Sequence, residues 1–285
     1  MKKQFSCLGL GFLFFTSIAS AETDFTSTCQ VHQDSVTWNS CVFTTVGSTS
    51  PDVVFYLHGI GGSEQEWATF HGLNDIRDSW THSGQQAPRI VTVSFGKAWL
   101  LAEKNSSKNS GLFELFTESV LPALEQELGG IKGRKILFGL SMGGFNAVQI
   151  LLKKPKLFSK VVLACPALTH VSPYDSNADI QAYIDRTHAD PLRVLRAVAL
   201  ARITYPDAKT WQTGDPFLLG NSLIGADSPP VLIHVGTEDE YGFFEGDQAF
   251  AELIQEKSTN ELQWVLMKGG HCTFDAEKIA QFISN

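Results

Sequence analysis

The sequence predicts an α/β fold with a mostly parallel central sheet flanked by helices. Two patterns carry that expectation. Short apolar, β-branched runs recur without alternating in polarity, as strands buried on both faces of a parallel sheet do. Stretches with apolar residues at helical spacing lie between them, the order that parallel crossovers require.

The strand runs are PDVVFYLHGIGG (residues 51–62), PRIVTVSFG (88–96), RKILFGLS (134–141), KVVLACPAL (160–168), PPVLIHVG (229–236) and ELQWVLMKGG (261–270). Helices are expected over 112–128, closed by Gly129-Gly130, and over 143–154, closed by Lys153-Lys154-Pro155. Two more are expected over 243–257 and 275–283. Residues before about 50 read as an antiparallel edge hairpin around Cys29 and Cys41.

From Thr169 to Ser228 no strand pattern occurs. Asp190-Pro191 marks an N-cap with proline at the first helical position, opening a helix to about Ile203. An insertion of this length between strands ending near 168 and beginning near 229 reads as a lid or cap. Arg193, Arg196 and Arg202 on that helix are expected on a solvated face.

Residues 1–21 carry Lys2 and Lys3, an apolar run from about Leu8 to Ile18, and Ala19-Ser20-Ala21. This describes a secretory signal cut after Ala21, leaving residues 22–285 as one domain and an exported product, periplasmic or secreted. No later stretch has the roughly 18 apolar residues of a membrane span. The net charge of −8 and the lack of basic clusters argue against nucleic-acid binding. Neither a C-x-x-C nor an H-E-x-x-H pattern occurs, so no metal site is expected.

Beyond the signal, Cys29, Cys41, Cys165 and Cys272 form an even set in an exported chain. Cys29 and Cys41 flank the expected hairpin and are paired on that ground. Cys165 ends the strand run that follows RKILFGLS, and Cys272 follows the last strand run, so both are expected at one sheet edge and in a bridge.

The chemistry centres on KILFGLSMGGFNAV (135–148), where Ser141 stands between glycines at a strand–turn–helix junction. Gly139 and Gly143 lack the Cβ atoms that would clash across so sharp a turn. A serine hydroxyl needs a base, and in this arrangement the acid and then the histidine follow along the chain. His271, in KGGHCTFD just past the last strand, is the candidate base; His234 reads as a core histidine and His58 as a residue orienting the first glycine loop. HVGTEDEYG offers Glu238, Asp239 and Glu240 after the preceding strand. Asp239 is preferred for its G-x-x-D frame, with Glu238 the alternative. The backbone N–H groups of Met142 and of Ile60, in LHGIGG, are the candidate oxyanion donors.

HGIGG, GLSMGG, DPFLL, GTED and GGH, spread from His58 to His271, resemble the α/β-hydrolases. Within them the likeness is to the esterase group of esterase D, feruloyl esterases and bacterial mycolyltransferases. Leu140 stands where the S-formylglutathione hydrolases of that group usually carry histidine.

The resemblance implies an α/β-hydrolase fold and an exported serine hydrolase that cleaves carboxylic esters through an acyl-enzyme, with no cofactor. Its partner is a small-molecule or lipid- or polysaccharide-linked ester. An acyltransferase would use the same residues, and a non-catalytic binding protein on this fold is the rival from another class. Trp67, Phe70, Trp99, Phe217, Phe243 and Phe244 are the aromatic candidates for a substrate pocket.

Overall fold

The computed structural model describes residues 25–285; the expected signal lies outside them. The strands are β1 (Phe25–Gln33), β2 (Thr37–Thr45), β3 (Val53–Leu57), β4 (Arg89–Ser94), β5 (Lys135–Leu140), β6 (Lys160–Ala164), β7 (Val231–Gly236) and β8 (Leu262–Met267). They form one eight-stranded sheet in the order β1-β2-β4-β3-β5-β6-β7-β8. The β1–β2 and β2–β4 pairings are antiparallel and all the others parallel, as the runs of apolar residues predict. Every residue of β3 and β7 is buried. The N-terminal edge is the expected hairpin, with Cys29 and Cys41 directly opposite and disulfide-linked.

Helices α1 (Glu66–Thr69) and α2 (His71–Ser83) follow β3, and α3 (Leu112–Leu115) and α4 (Leu121–Glu127) follow β4. Next come α5 (Met142–Lys153), α6 (Asn177–Thr187), α7 (Pro191–Thr204), α8 (Ala208–Trp211), α9 (Pro216–Leu223), α10 (Phe243–Lys257) and α11 (Ala276–Ser284). The helix expected over 112–128 is interrupted by a π-helical turn, Phe116–Val120. Pro122, which has no N–H to give and whose ring would press on the preceding turn, accounts for it. Helix α2 was not anticipated, although Leu73, Ile76 and Trp80 share its buried face and Gly84 ends it in the left-handed conformation.

The insertion between β6 and β7 contains four helices, α6 to α9, where the sequence predicts one. All four begin at caps readable in the chain. Ser176, Asp190, Asp207 and Asp215 each accept backbone N–H bonds, Asp190 and Asp215 with proline next in line. Among the described residues no helix is long and apolar enough to cross a membrane.

The core is a double layer with the sheet between. Helix α5, eleven of its residues buried, packs on one face among Phe55, Leu137 and Val161. Helices α2 and α11 close the other, where Trp80 donates its indole N–H to the carbonyl of Ala280 at 3.1 Å. Both faces are therefore spoken for, and the carboxyl ends of β3, β5, β6, β7 and β8 are left to carry the loops that matter.

Candidate active site

Ser141 sits where β5 gives way to α5, with φ 54° and ψ −114°, a backbone conformation that side-chain-bearing residues rarely adopt. The turn is held on both sides. Its N–H bonds the carbonyl of Ala164 on β6 at 2.9 Å, and its own carbonyl accepts from Ala167 and Phe145, both at 3.1 Å. A Cβ at Gly139 would strike the backbone of Gly143, and one at Gly143 would strike that of Leu57. Glycine is required at both.

The Ser141 hydroxyl does not cap α5. Its Oγ lies 2.7 Å from Nε2 of His271, whose Nδ1 lies 2.6 Å from Oδ2 of Asp239. Asp239 is buried, and its other oxygen accepts the N–H of Tyr241 at 2.7 Å. The sequence-selected serine, histidine and acid are thus brought together. Glu238 is exposed and turned away, its backbone bonded to Gly269.

Glu240 does more than its neighbourhood suggested. Its carboxylate accepts the backbone N–H of His271 at 2.8 Å, and that bond is the main reason its carboxyl is held below the ordinary glutamate range. Arg193 lies 3.6 Å from the same carboxylate and over the ring of Tyr241. The Cys165–Cys272 disulfide fastens the other side of His271 to the end of β6. Both cysteines have positive φ, 45° and 60°, a conformation normally left to glycine.

The amide nitrogens of Ile60 and Met142 have no hydrogen-bond acceptor among the described residues. Ile60 and Met142 both line the pocket that holds Ser141. The loop carrying Ile60 is braced from beneath. His58, fully buried, donates from Nδ1 to the carbonyl of Gly59 at 2.7 Å, and its Nε2 meets Ser94 Oγ at 2.8 Å and Trp99 Nε1 at 3.1 Å. A ring that accepts from Trp99 at Nε2 must carry its proton on Nδ1, and burial lowers its basicity so that it stays neutral. Glu66, which the sequence reading passed over, accepts the N–H of Gly59 at 3.2 Å and the Tyr56 hydroxyl at 2.5 Å. Burial raises its carboxyl above the usual value.

His234 is the core histidine expected. Burial holds it down to about 4, and its Nε2 accepts the N–H of Asp275 at 2.7 Å.

Ser141 opens into a pocket of about 90 Å³ whose walls are largely apolar. Phe243 is the one member of the predicted aromatic set on its wall; the others there are Phe145, Trp211, Tyr183 and Tyr241. Trp67 and Trp99 are buried in the two core layers, Phe70 meets Phe274, Phe217 stacks on His170 and Phe244 faces Trp264. Arg196 and Arg202 are exposed and Arg193 is partly so, the solvated face expected of α7, and each also has a neighbour or a place of note. Arg193 pairs with Glu240, Arg202 Nε donates to the carbonyl of Pro173 at 2.7 Å, and Arg196 lines the pocket.

The family described as "Putative esterase" matches residues 44–284. The chain belongs to this esterase family. Ester hydrolysis is therefore its reaction class. The ferri-bacillibactin esterase BesA of Bacillus subtilis is 27% identical over 88 residues, and the match spans 30% of each chain. Among solved structures, a brefeldin A esterase superposes with a TM-score of 0.64 at 15% identity, over 95% of this chain and 80% of its own. The S-formylglutathione hydrolase of Staphylococcus aureus gives 0.62 at 15% identity, over 92% of this chain and all of its own. A ferulic acid esterase gives 0.57 at 17% identity, over 92% and 98%. At these identities the structures establish the α/β-hydrolase fold.

Two outcomes are expected from this geometry. Cys272→Ser should reduce ester turnover several-fold while Cys29→Ser leaves it near wild type, since only the first frees the His271 loop; steady-state rates on one ester compare them. The second concerns Asp247, a fully buried acid of α10 that the hydrogen-bonded chain does not use. Burial first, and then the charge of Asp239, push its carboxyl well above the ordinary value, against a smaller opposing pull from the Leu168 backbone. The folded state therefore keeps a proton that the unfolded chain gives up above about pH 4, so this residue costs stability as the pH rises. Asp247→Asn removes that cost. Urea denaturation should show the variant gaining on wild type between pH 4 and pH 7, whereas a gain on acidification would have the sign reversed.

Proposed function

We propose that the protein is an exported serine esterase that works through an acyl-enzyme on Ser141. The single observation that carries the reading is the hydrogen-bonded chain from Ser141 Oγ through His271 to buried Asp239, ending in an apolar pocket. His271 Nε2 takes the hydroxyl proton as Oγ attacks the ester carbonyl carbon. The carbonyl oxygen becomes an anion received by the N–H groups of Ile60 and Met142, with the N-terminus of α5 adding its positive end. Collapse breaks the bond to the alcohol oxygen, which leaves with the proton from His271. Water then attacks the acyl-serine with His271 as base, releasing the acid and restoring the Ser141 hydroxyl. Asp239 holds the proton of His271 on Nδ1 and stabilises the imidazolium that forms.

Two disulfides fit an oxidising compartment and agree with the leader read in residues 1–21. The four-helix insertion acts as a cap, since α7 supplies much of the wall above Ser141. An alcohol replacing water would make the same site an acyltransferase; the two differ in the acceptor and not in the residues named.

A fluorophosphonate probe should label the purified protein once, on the peptide containing Ser141, and Ser141→Ala should abolish both labelling and turnover. Asp239→Asn should lower kcat by about 10⁴-fold, with Glu238→Gln near wild type. Label on another residue, full turnover in the alanine variant, or wild-type turnover no higher than that of a heat-treated sample would remove the basis of the reading.

A further inference from the structure

We infer that the acyl group this site accepts ends in an anion, and that Arg196 is the residue that selects it. The inference rests on the reading of Ser141 as nucleophile and adds the substrate class.

Helix α7 turns Val194, Ala197, Val198 and Ala201 toward the pocket, the i, i+3, i+4, i+7 positions of one face. Arg196, exposed and off that face, borders the pocket from the solvent side, and it is the one residue with a formal charge among those that line it. The helix PLRVLRAVALARIT has three arginines and no acid. Two of the three are engaged. Arg193 lies against Glu240 and Tyr241, and Arg202 is tied to the carbonyl of Pro173 and lies over Tyr174. Arg196 has neither a hydrogen bond nor an ion pair among the described residues. This happens in a chain with 30 acidic residues and a net charge of −8, where acidic partners are plentiful.

A guanidinium stays charged at any working pH, and its planar fork matches a carboxylate in two parallel bonds. At its exposed position the attraction is open to screening by salt. A pocket shaped for hydrocarbon alone gains nothing from such a group at its side. A chain that is apolar along its length and anionic at its far end would use both the wall and the fork. Monoesters of dicarboxylic acids are that class. The competing explanation is that the Arg196 stem covers apolar wall while its head points to water.

The test compares esters that share a leaving group and differ at the far end of the acyl chain. Mono-p-nitrophenyl glutarate, adipate and suberate are each measured against the p-nitrophenyl ester of the monoacid of equal carbon count, with uncatalysed hydrolysis subtracted. Wild type should prefer the diacid ester at one or more lengths. In Arg196→Met, which keeps an apolar stem and removes the charge, the ratio of kcat/KM for diacid over monoacid ester should fall about ten-fold, carried by KM. Arg196→Lys should keep part of the preference, and added salt should erode it in wild type but not in the methionine variant. Because both esters are read on the same protein, a folding defect cancels in the ratio. Absence of any preference at every length, or an unchanged ratio in Arg196→Met, overturns the inference. Failure to hydrolyse either ester instead refutes the reading of Ser141.

Discussion

The turn at Ser141 constrains everything around it. A serine at φ 54° between β5 and α5 is tolerable only because its backbone is bonded to Ala164, Ala167 and Phe145 and because Gly139 and Gly143, two residues to either side, have no Cβ. The absence of side chains at Gly139 and Gly143 brings the start of α5 against the end of β3, so the loop that follows β3 is pressed onto the serine. A Cβ at Gly59 would already lie 3.4 Å from that of Ser141. The proposed nucleophile and the proposed donors Ile60 and Met142 therefore share one packing problem, and solving it for one positions the others.

The proposed acid and base need a different solution, because they arrive on loops from the far side of the sheet. Four attachments meet there. Asp239 bonds the His271 ring, Glu240 bonds its backbone, the disulfide ties Cys272 to the end of β6, and Arg193 links Glu240 to the inserted helices. The last makes α7 a partner of the histidine loop as well as the roof of the pocket. Burial accounts for the local electrostatics. Asp239 accepts the N–H of Tyr241 and faces the imidazole of His271, whereas burial pushes the carboxyl of Asp247 well above its ordinary value.

Much of this was legible in the chain, and for definable reasons. Strands buried on both faces cannot alternate in polarity, so β3 to β7 announce themselves; the elbow glycines, the order Ser141, Asp239, His271 and both disulfides follow from chemistry that tolerates few substitutes. The misses have a common cause. Glu66 and Glu240 act through backbone N–H groups, and nothing in a sequence says which amide a carboxylate will meet. The pocket wall is set by how α7 lies over the site, so Phe145, Trp211 and Arg196 could not be told from core or surface. The aromatic residues first considered went instead to core layers and to pairs such as Phe70 with Phe274. The π-helical turn depends on one proline within an otherwise regular pattern.

The central claim is that Ser141 carries the acyl group between the two halves of the reaction. Rapid acid quenching of the protein during turnover of a p-nitrophenyl ester, followed by peptide mass spectrometry, reads this directly. The account predicts a burst of p-nitrophenol and one acyl group on the peptide containing Ser141. Turnover with no acyl-protein, or with the acyl group on another residue, would contradict it.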